Sequence, residues 1–151
     1  PLISMVQQMA LGMSVLSNED STRLGIAMDE AIVNAICHGN LELSQDEMSY
    51  VRRHLHAKCP IDVVEQRRML APYDSRCVYV ASLITREGVK VSVRDDGKGF
   101  ALGSVDQEQL GRGVTLIQNL VDKATFNEAG NEITLLKRAV SANHPPLNKA
   151  S

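Results

Sequence analysis

Apolar and polar residues recur with a helical period through the first half of the chain. Over residues 2–16 the apolar positions return every three or four residues, which predicts an amphipathic helix. Ser17 and Asn18 are favourable N-cap candidates for a second helix, and Gly39-Asn40 is a favourable stop signal after it. The Ser44-Gln45-Asp46-Glu47 run has the form of a capping box and predicts the start of a third helix. The pattern predicts helices over residues 2–16, 18–38, 44–57 and 63–70.

The second half of the chain changes to the pattern of strands. Residues 77–85 are rich in β-branched and apolar side chains, and Val89, Val91 and Val93 alternate with polar residues. Turn residues separate the segments. Strands are predicted over residues 77–85, 89–94, 124–128 and 132–138, with one helix over residues 114–121. Because helices come first and hairpin strands later, we expect an α+β fold, a two-layer α/β sandwich whose mostly antiparallel sheet is covered by helices on one face.

Composition excludes several classes of function. The 151 residues, 44% of them hydrophobic, suffice for one domain with a buried core. Aromatic residues make up 3%, too few for the stacked rings of a single-strand nucleic-acid site. No apolar run approaches the roughly 20 residues that span a bilayer, so a membrane protein is not expected. Three widely spaced cysteines favour reduced thiols and a cytoplasmic location over a disulfide framework.

The second predicted helix carries a polar stripe on an otherwise apolar surface. Glu30, Asn34 and His38 follow each other at intervals of four residues, which places them within roughly 80° of one another around the helix. A carboxylate and an amide one turn apart offer oxygen ligands that suit Mg²⁺ with retained waters and phosphates. An exposed stripe with Glu30 paired to a nearby cation such as Arg23 is the alternative explanation.

Two glycine-containing segments precede the last predicted helix. Asp95 stands where a strand ends, and Gly97 and Gly99 follow it, so that a ligand could approach a carboxylate closely. The Gly111-Arg112-Gly113 run stands immediately before a helix, where free N–H groups can bind phosphate. A simple hairpin turn and an ordinary helix entry are the alternative explanations. Neither a P-loop nor a dinucleotide-binding fingerprint is present in the sequence.

Taken in order, these three motifs resemble those of the GHKL ATPases, the superfamily of the Bergerat ATP-binding fold. The stretches that carry the resemblance are Glu30 to Asn40, Arg94 to Phe100 and Gly111 to Ile117, each in the expected helix or strand context. Within the superfamily the chain looks most similar to the RsbW-type anti-sigma-factor serine kinases. The resemblance implies ATP and Mg²⁺ as cofactors.

The resemblance also implies a role for each matched residue. Asn34 would hold Mg²⁺ against the phosphates, and Glu30 would be the catalytic base that activates the attacking hydroxyl.

At the other end of the nucleotide, Asp95 would accept from the adenine amino group, with Gly97 and Gly99 giving the base room. The Gly111-Arg112-Gly113 run would form the lid hinge and the phosphate-facing turn. Asn131 stands where the family has a threonine that helps to hold adenine, and would take over that contact.

The resemblance sets the expected domain organisation. Residues 1–138 would form the ATPase domain, residues 41–75 a helical insertion within it, and residues 139–151 a flexible tail. Two strands that usually precede the first helix are missing, and the inserted segment resembles members that carry a receiver or phosphatase domain upstream.

The expected function is that of an ATP-binding regulatory serine kinase. Its partners would be a sigma factor and a STAS-type anti-anti-sigma protein, which it would phosphorylate. A catalytic domain of a histidine kinase and a non-catalytic, nucleotide-dependent partner-switch module are the alternatives. The apolar side of residues 2–16 is compatible with a homodimer.

Overall fold

Four antiparallel strands form one open sheet in the computed structural model, which describes residues 1–54, 62–100 and 111–140. The strand order is β1-β2-β4-β3, and all three pairings are antiparallel. The strands are β1 (Val78–Thr85), β2 (Gly88–Asp95), β3 (Lys123–Phe126) and β4 (Glu132–Arg138). The α-helices of the described ranges are α1 (Leu2–Gly12), α2 (Asn18–Asn34), α3 (Gln45–His54), α4 (Asp62–Arg68) and α5 (Gly111–Leu120).

The two faces of the sheet differ as the alternation in the sequence requires. On β2, Val89, Val91 and Val93 are buried, and on β4 Leu135 stands opposite Val91 in the pairing register. These side chains pack with apolar residues of α1, α2 and α5 in the larger of two hydrophobic cores. On the other face, the Ser92 and Thr134 hydroxyls lie 3.0 Å apart in a polar ladder. The predicted two-layer α+β architecture is therefore confirmed.

Helix α2 begins at the predicted cap and continues further than the sequence indicates. The Ser17 hydroxyl accepts a hydrogen bond from the main-chain N–H of Asp20. Beyond Asn34 the chain remains helical as a π-helix over Ala35–Asn40, here called the π segment. The helical conformation ends at Asn40, so the predicted Gly39-Asn40 stop lies in its last turn and the end predicted at about His38 is two residues early. The wider π turn leaves room for an extra residue and changes which side chains share a face.

A second, smaller core lies beneath α3 and α4. Cys37 of the π segment belongs to this core. Its buried residues are Cys37, Leu41, Leu43, Met48 and Val51. The segment predicted as an insertion, residues 41–75, thus packs against the end of the same helix that bears the polar stripe. Residues 55–61, which include the predicted end of the third helix, lie outside the described part of the chain.

Two further sequence expectations concern the second half of the chain. Helix α5 begins at Gly111, so the glycine run predicted to precede the helix forms its first turn instead. Residues 141–151 of the predicted tail lie outside the described residues. So do residues 101–110, which separate the two glycine-containing segments. Within the described ranges, no helix combines the length and apolar character needed to cross a bilayer.

An ion pair enters the main core where the apolar pattern of β4 breaks. The Lys137 ammonium lies 2.8 Å from a carboxylate oxygen of Asp20, and the lysine side chain is only 8% exposed. The hydrogen bond from Lys137 is the largest cause that lowers the pKa of Asp20, against the opposing effect of burial. Because this pKa is lower in the folded state, the pair stabilises the fold fully above about pH 4. That contribution is lost as the pH falls through the folded-state pKa.

We expect Asp20→Asn to lower the free energy of unfolding at neutral pH by about 2 kcal/mol. The difference from the wild type should shrink on acidification, because protonation removes the same ion pair. Urea unfolding followed by circular dichroism between pH 7 and pH 3 measures it. Glu19→Gln is the control, because its carboxylate is 74% exposed in a surface pair with Arg23. A difference that is constant over the whole pH range would contradict the prediction.

Candidate functional site

A cavity of about 1180 Å³ opens between the π segment, the end of β2 and the start of α5. The turn between β3 and β4 closes its remaining side. Six of the sequence-predicted residues line it: Asn34, Asp95, Gly99, Arg112, Gly113 and Asn131. Of the other three, Glu30 lies one helical turn before Asn34, Gly97 contacts Asp95, and Gly111 directly precedes Arg112. The fold thus gathers residues of all three motifs around one cavity.

The polar stripe runs from the interior of the protein to its surface. Glu30 is buried, with 9% of its surface exposed, whereas Asn34 is half-buried and His38 is exposed. Arg23 forms its ion pair with Glu19, one turn before it on the exposed side of α2, at 2.8 Å. The alternative of an exposed stripe therefore fails at Glu30. A buried carboxylate one turn from a cavity-lining amide is an arrangement that can act on a bound molecule.

Asp95 is a buried carboxylate at the end of β2. It is 8% exposed, and its Oδ1 accepts a hydrogen bond of 2.8 Å from the main-chain N–H of Gly97. Burial raises the pKa of Asp95, and the neighbouring charge of Asp96 adds to this effect, while the Gly97 hydrogen bond and the Arg76 charge oppose it. Such a group can accept a hydrogen bond from an amino group on a flat ligand in the cavity.

Gly39 is a site residue that the sequence motifs do not identify. A Cβ atom on this residue would collide with the Asp95 carboxyl group, and a Cβ on Gly97 would collide with the Gly39 carbonyl oxygen. The next residue, Asn40, is buried, and its Oδ1 accepts from the main-chain N–H of Asp96 at 2.9 Å. The π segment thus forms a wall against which the carboxylate is held. Its only sequence signal is the glycine itself, which resembles a helix stop.

We expect Gly39→Ala to weaken the binding of ATP, the ligand that the sequence resemblance implies, by about 10- to 100-fold, because overpacking of this kind costs about 1–3 kcal/mol and displaces Asp95. Calorimetric titration measures the dissociation constant. Gly12→Ala is the matched control, because a Cβ on that residue meets nothing within 4 Å. Equal affinities for the two variants would show that Gly39 does not position Asp95.

Two arginines hold the carbonyl end of the π segment. Arg76 donates to the Asn40 carbonyl oxygen at 2.7 Å, and Arg67 of α4 donates to the Leu41 carbonyl oxygen at 3.0 Å. Both guanidinium groups also stack on the ring of Tyr73, at 5.1 and 5.5 Å from its centroid. Positive charge at the carbonyl end of a helix is favourable, and these contacts tie the 41–75 segment to the wall of the cavity.

A charged pair stands at the rim of the cavity. Glu42 accepts from Arg76 at 2.9 Å and from Lys98 of the glycine loop at 3.1 Å. The Lys98 hydrogen bond is the largest cause that lowers the pKa of Glu42, followed by the Arg76 hydrogen bond. Glu42 follows the π segment, and its ion pair with Lys98 connects it with the loop after Asp95. Both residues line the cavity, so the contact links two of its walls.

The oxygen donors of the cavity fit a metal that is shared with a ligand. Asn34 lines the cavity with an amide, and Glu30 lies one turn before it. In the described part of the chain, no group of three His, Cys, Asp or Glu side chains is placed to hold a metal ion. Mg²⁺ commonly keeps several waters and takes phosphate oxygens beside one or two protein ligands. The first turn of α5, with Arg112, adds free N–H groups and a positive charge that suit phosphate.

Comparison with protein families gives one match. A family model described as a histidine kinase-like ATPase domain matches residues 1–137. The matched stretch contains every residue that lines the cavity. Searches of the curated proteins and of the solved structures gave no significant match.

Proposed function

Since the chain belongs to the histidine kinase-like ATPase family, we propose that it binds Mg-ATP in this cavity and acts as a regulatory protein serine kinase of the RsbW type. The observation that carries the proposal is that Asn34, Asp95 and the first turn of α5 line one cavity, with the buried Glu30 one helical turn before Asn34. The substrate protein would be a STAS-type anti-anti-sigma factor, and a sigma factor would be the protein that the kinase sequesters. A homodimer through α1 belongs to the same proposal.

Adenine recognition is assigned to Asp95. A carboxylate only accepts hydrogen bonds, and the adenine amino group donates, whereas guanine presents an oxygen at the same position. Burial of Asp95 strengthens the contact, since a mismatched acceptor could not be satisfied by water there. Nucleotides with a 6-amino group should therefore be preferred over those with a 6-oxo group.

Phosphoryl transfer is assigned to the opposite end of the cavity. The Glu30 carboxylate would take the proton of the serine hydroxyl as its oxygen bonds to the γ-phosphorus, while the bond to the bridging oxygen breaks and ADP leaves with that oxygen. The Asn34 amide would supply an oxygen ligand for Mg²⁺. Mg²⁺, when bound, neutralises charge on the phosphates. Arg112 and the N–H groups at the start of α5 orient the phosphate groups. Little further chemistry is needed, because positioning and charge neutralisation provide most of the catalysis in phosphoryl transfer.

The test is affinity capture from native lysate in the presence of Mg-ATP, followed by transfer of labelled γ-phosphate and mapping of the phosphosite. We expect an acid-stable phosphoserine on a captured protein. An acid-labile phosphohistidine would favour a histidine-kinase catalytic domain instead. ATP binding without any transfer to a captured protein would favour a non-catalytic partner-switch module, and absence of ATP binding would refute the whole proposal.

A further inference from the structure

Asn127 directly follows β3 and is half-buried, and it is not among the residues that line the cavity. Its side-chain oxygen accepts from two main-chain N–H groups, those of Asn131 and Glu132, each at 3.1 Å. The main-chain carbonyl of Asn127 also accepts from the N–H of Gly130 at 3.1 Å. Asn127 thus closes the turn of residues 127–131, here called the β3–β4 turn.

The same side chain fixes the orientation of the Asn131 amide. Main-chain N–H groups only donate, so the Asn127 atom that accepts from them must be its oxygen, and its other terminal atom is the NH₂ group. That NH₂ group donates to the side-chain oxygen of Asn131 at 2.9 Å. Asn131 must therefore present its own NH₂ group on the other side. There it donates to the main-chain carbonyl of Asp95 at 3.1 Å, an atom that only accepts.

Asn131 consequently holds both main-chain polar groups of Asp95. Its side chain donates to the Asp95 carbonyl, and its main-chain carbonyl accepts from the Asp95 N–H at 3.0 Å. The turn and the loop after Asp95 also interlock sterically. Gly99 and Gly130 both have left-handed backbone angles, φ 66° and φ 71°. A Cβ on Gly99 would collide with the Ala129 carbonyl oxygen, and one on Gly130 with the backbone of Phe100.

We infer that Asn127 is a positioning residue for base recognition, because it sets the Asn131 amide that holds Asp95 in place. The inference rests on the proposed function, since it presumes that Asp95 accepts from the adenine amino group. It assigns specificity for the base to a residue that touches no nucleotide.

Asn127→Asp separates this role from that of stabilising the turn. The aspartate keeps an oxygen for the N–H groups of Asn131 and Glu132 but loses the NH₂ group. The Asn131 amide then gains a hydrogen bond by turning its own NH₂ towards the new carboxylate. Its side-chain oxygen would then face the Asp95 carbonyl oxygen, and two acceptors cannot form a hydrogen bond. The turn is retained, whereas the side-chain hydrogen bond from Asn131 to the Asp95 carbonyl is lost.

The experiment compares calorimetric dissociation constants for ATP and for purine riboside triphosphate, which lacks the 6-amino group. The wild type should prefer ATP by at least about tenfold, because the free energy of one charge-assisted hydrogen bond corresponds to about that ratio of dissociation constants. In Asn127→Asp this ratio should fall to about three or less, while the affinity for the purine analogue stays within about threefold of the wild type. Because both ligands carry the same phosphates, the added charge affects them equally and leaves the ratio unchanged.

Asn18→Asp is the matched control, since it adds the same charge at the exposed first residue of α2 and should keep the wild-type ratio. Circular dichroism checks the fold, and Asn131→Ser serves as a second variant with the same expected loss of the ratio. An unchanged ratio in both variants would overturn the inference, as would an equal loss of affinity for both ligands. A wild type that binds neither ligand would refute the proposed function and the inference with it. A wild type that binds both without preference would refute the role of Asp95 and therefore the inference, but not the proposed nucleotide binding.

Discussion

Asp95→Asn is expected to reduce ATP affinity by about 100-fold or more while the protein stays folded. The amide would direct its NH₂ group either at the adenine amino group or at the main-chain N–H of Gly97, from which Asp95 now accepts. Either orientation leaves two donors facing each other in a buried place, which costs about 1–3 kcal/mol beyond the hydrogen bond that is lost. Together the two effects reach about 3 kcal/mol, or about 100-fold. Calorimetric titration with a non-hydrolysable ATP analogue measures the loss.

The neighbouring acid offers a matched control for this prediction. Asp96 is exposed, and its carboxylate accepts from the main-chain N–H of Cys77 at 3.0 Å outside the cavity. Asp96→Asn removes the same charge one residue away and should change ATP affinity by no more than about threefold, as expected for an exposed charge. If the two variants bound ATP equally well, the site would have to be assigned elsewhere.

The elements of this fold could be predicted from the sequence because their patterns are local. The alternation of Val89, Val91 and Val93 specifies which face of β2 is buried, and the Ser17 cap specifies where α2 begins. The three motifs likewise identified residues that the fold gathers at one cavity. These signals do not depend on what the rest of the chain does.

The remaining features depend on contacts between distant parts of the chain. Gly39 resembles a helix stop until it is placed against Asp95, 56 positions later in the sequence. The π segment is stabilised by Arg67 and Arg76 through hydrogen bonds to main-chain carbonyls at its end, and such bonds carry no sequence signature. In the sequence, Asn127 resembles an ordinary turn residue. Its role depends on the orientation that it gives to the Asn131 amide, which only the structure shows. Sequence patterns specify faces and caps, whereas such contacts require the tertiary structure.

The second core gives these distant contacts a common origin. Cys37 of the π segment packs beneath α3 and α4, and Arg67 of α4 holds the carbonyl end of the same segment. The 41–75 segment therefore contributes to the wall of the cavity as well as lying beside it.

Glu30→Gln is expected to abolish phosphoryl transfer while ATP still binds. Glutamine has nearly the same shape as glutamate but cannot take a proton from the attacking hydroxyl, and a positioned base contributes about 10²- to 10⁴-fold to such a step. Glu30 is buried one turn before Asn34 and is not among the residues that line the cavity, so the affinity for ATP should change by no more than about threefold. Single-turnover transfer of labelled phosphate to the captured acceptor gives the rate, and calorimetry gives the affinity.

The adjacent residue distinguishes loss of the base from a general effect on α2. Asp29 is exposed and lines a shallow groove between α1, α2 and β1, away from the nucleotide cavity. Asp29→Asn should transfer phosphate at the wild-type rate, because it makes the same change of charge on the same helix without touching the reacting groups. Transfer by Glu30→Gln at more than a tenth of the wild-type rate would mean that another group takes the proton. If Glu30→Gln lost ATP binding as well, Glu30 would instead be a residue that supports the proposed nucleotide site.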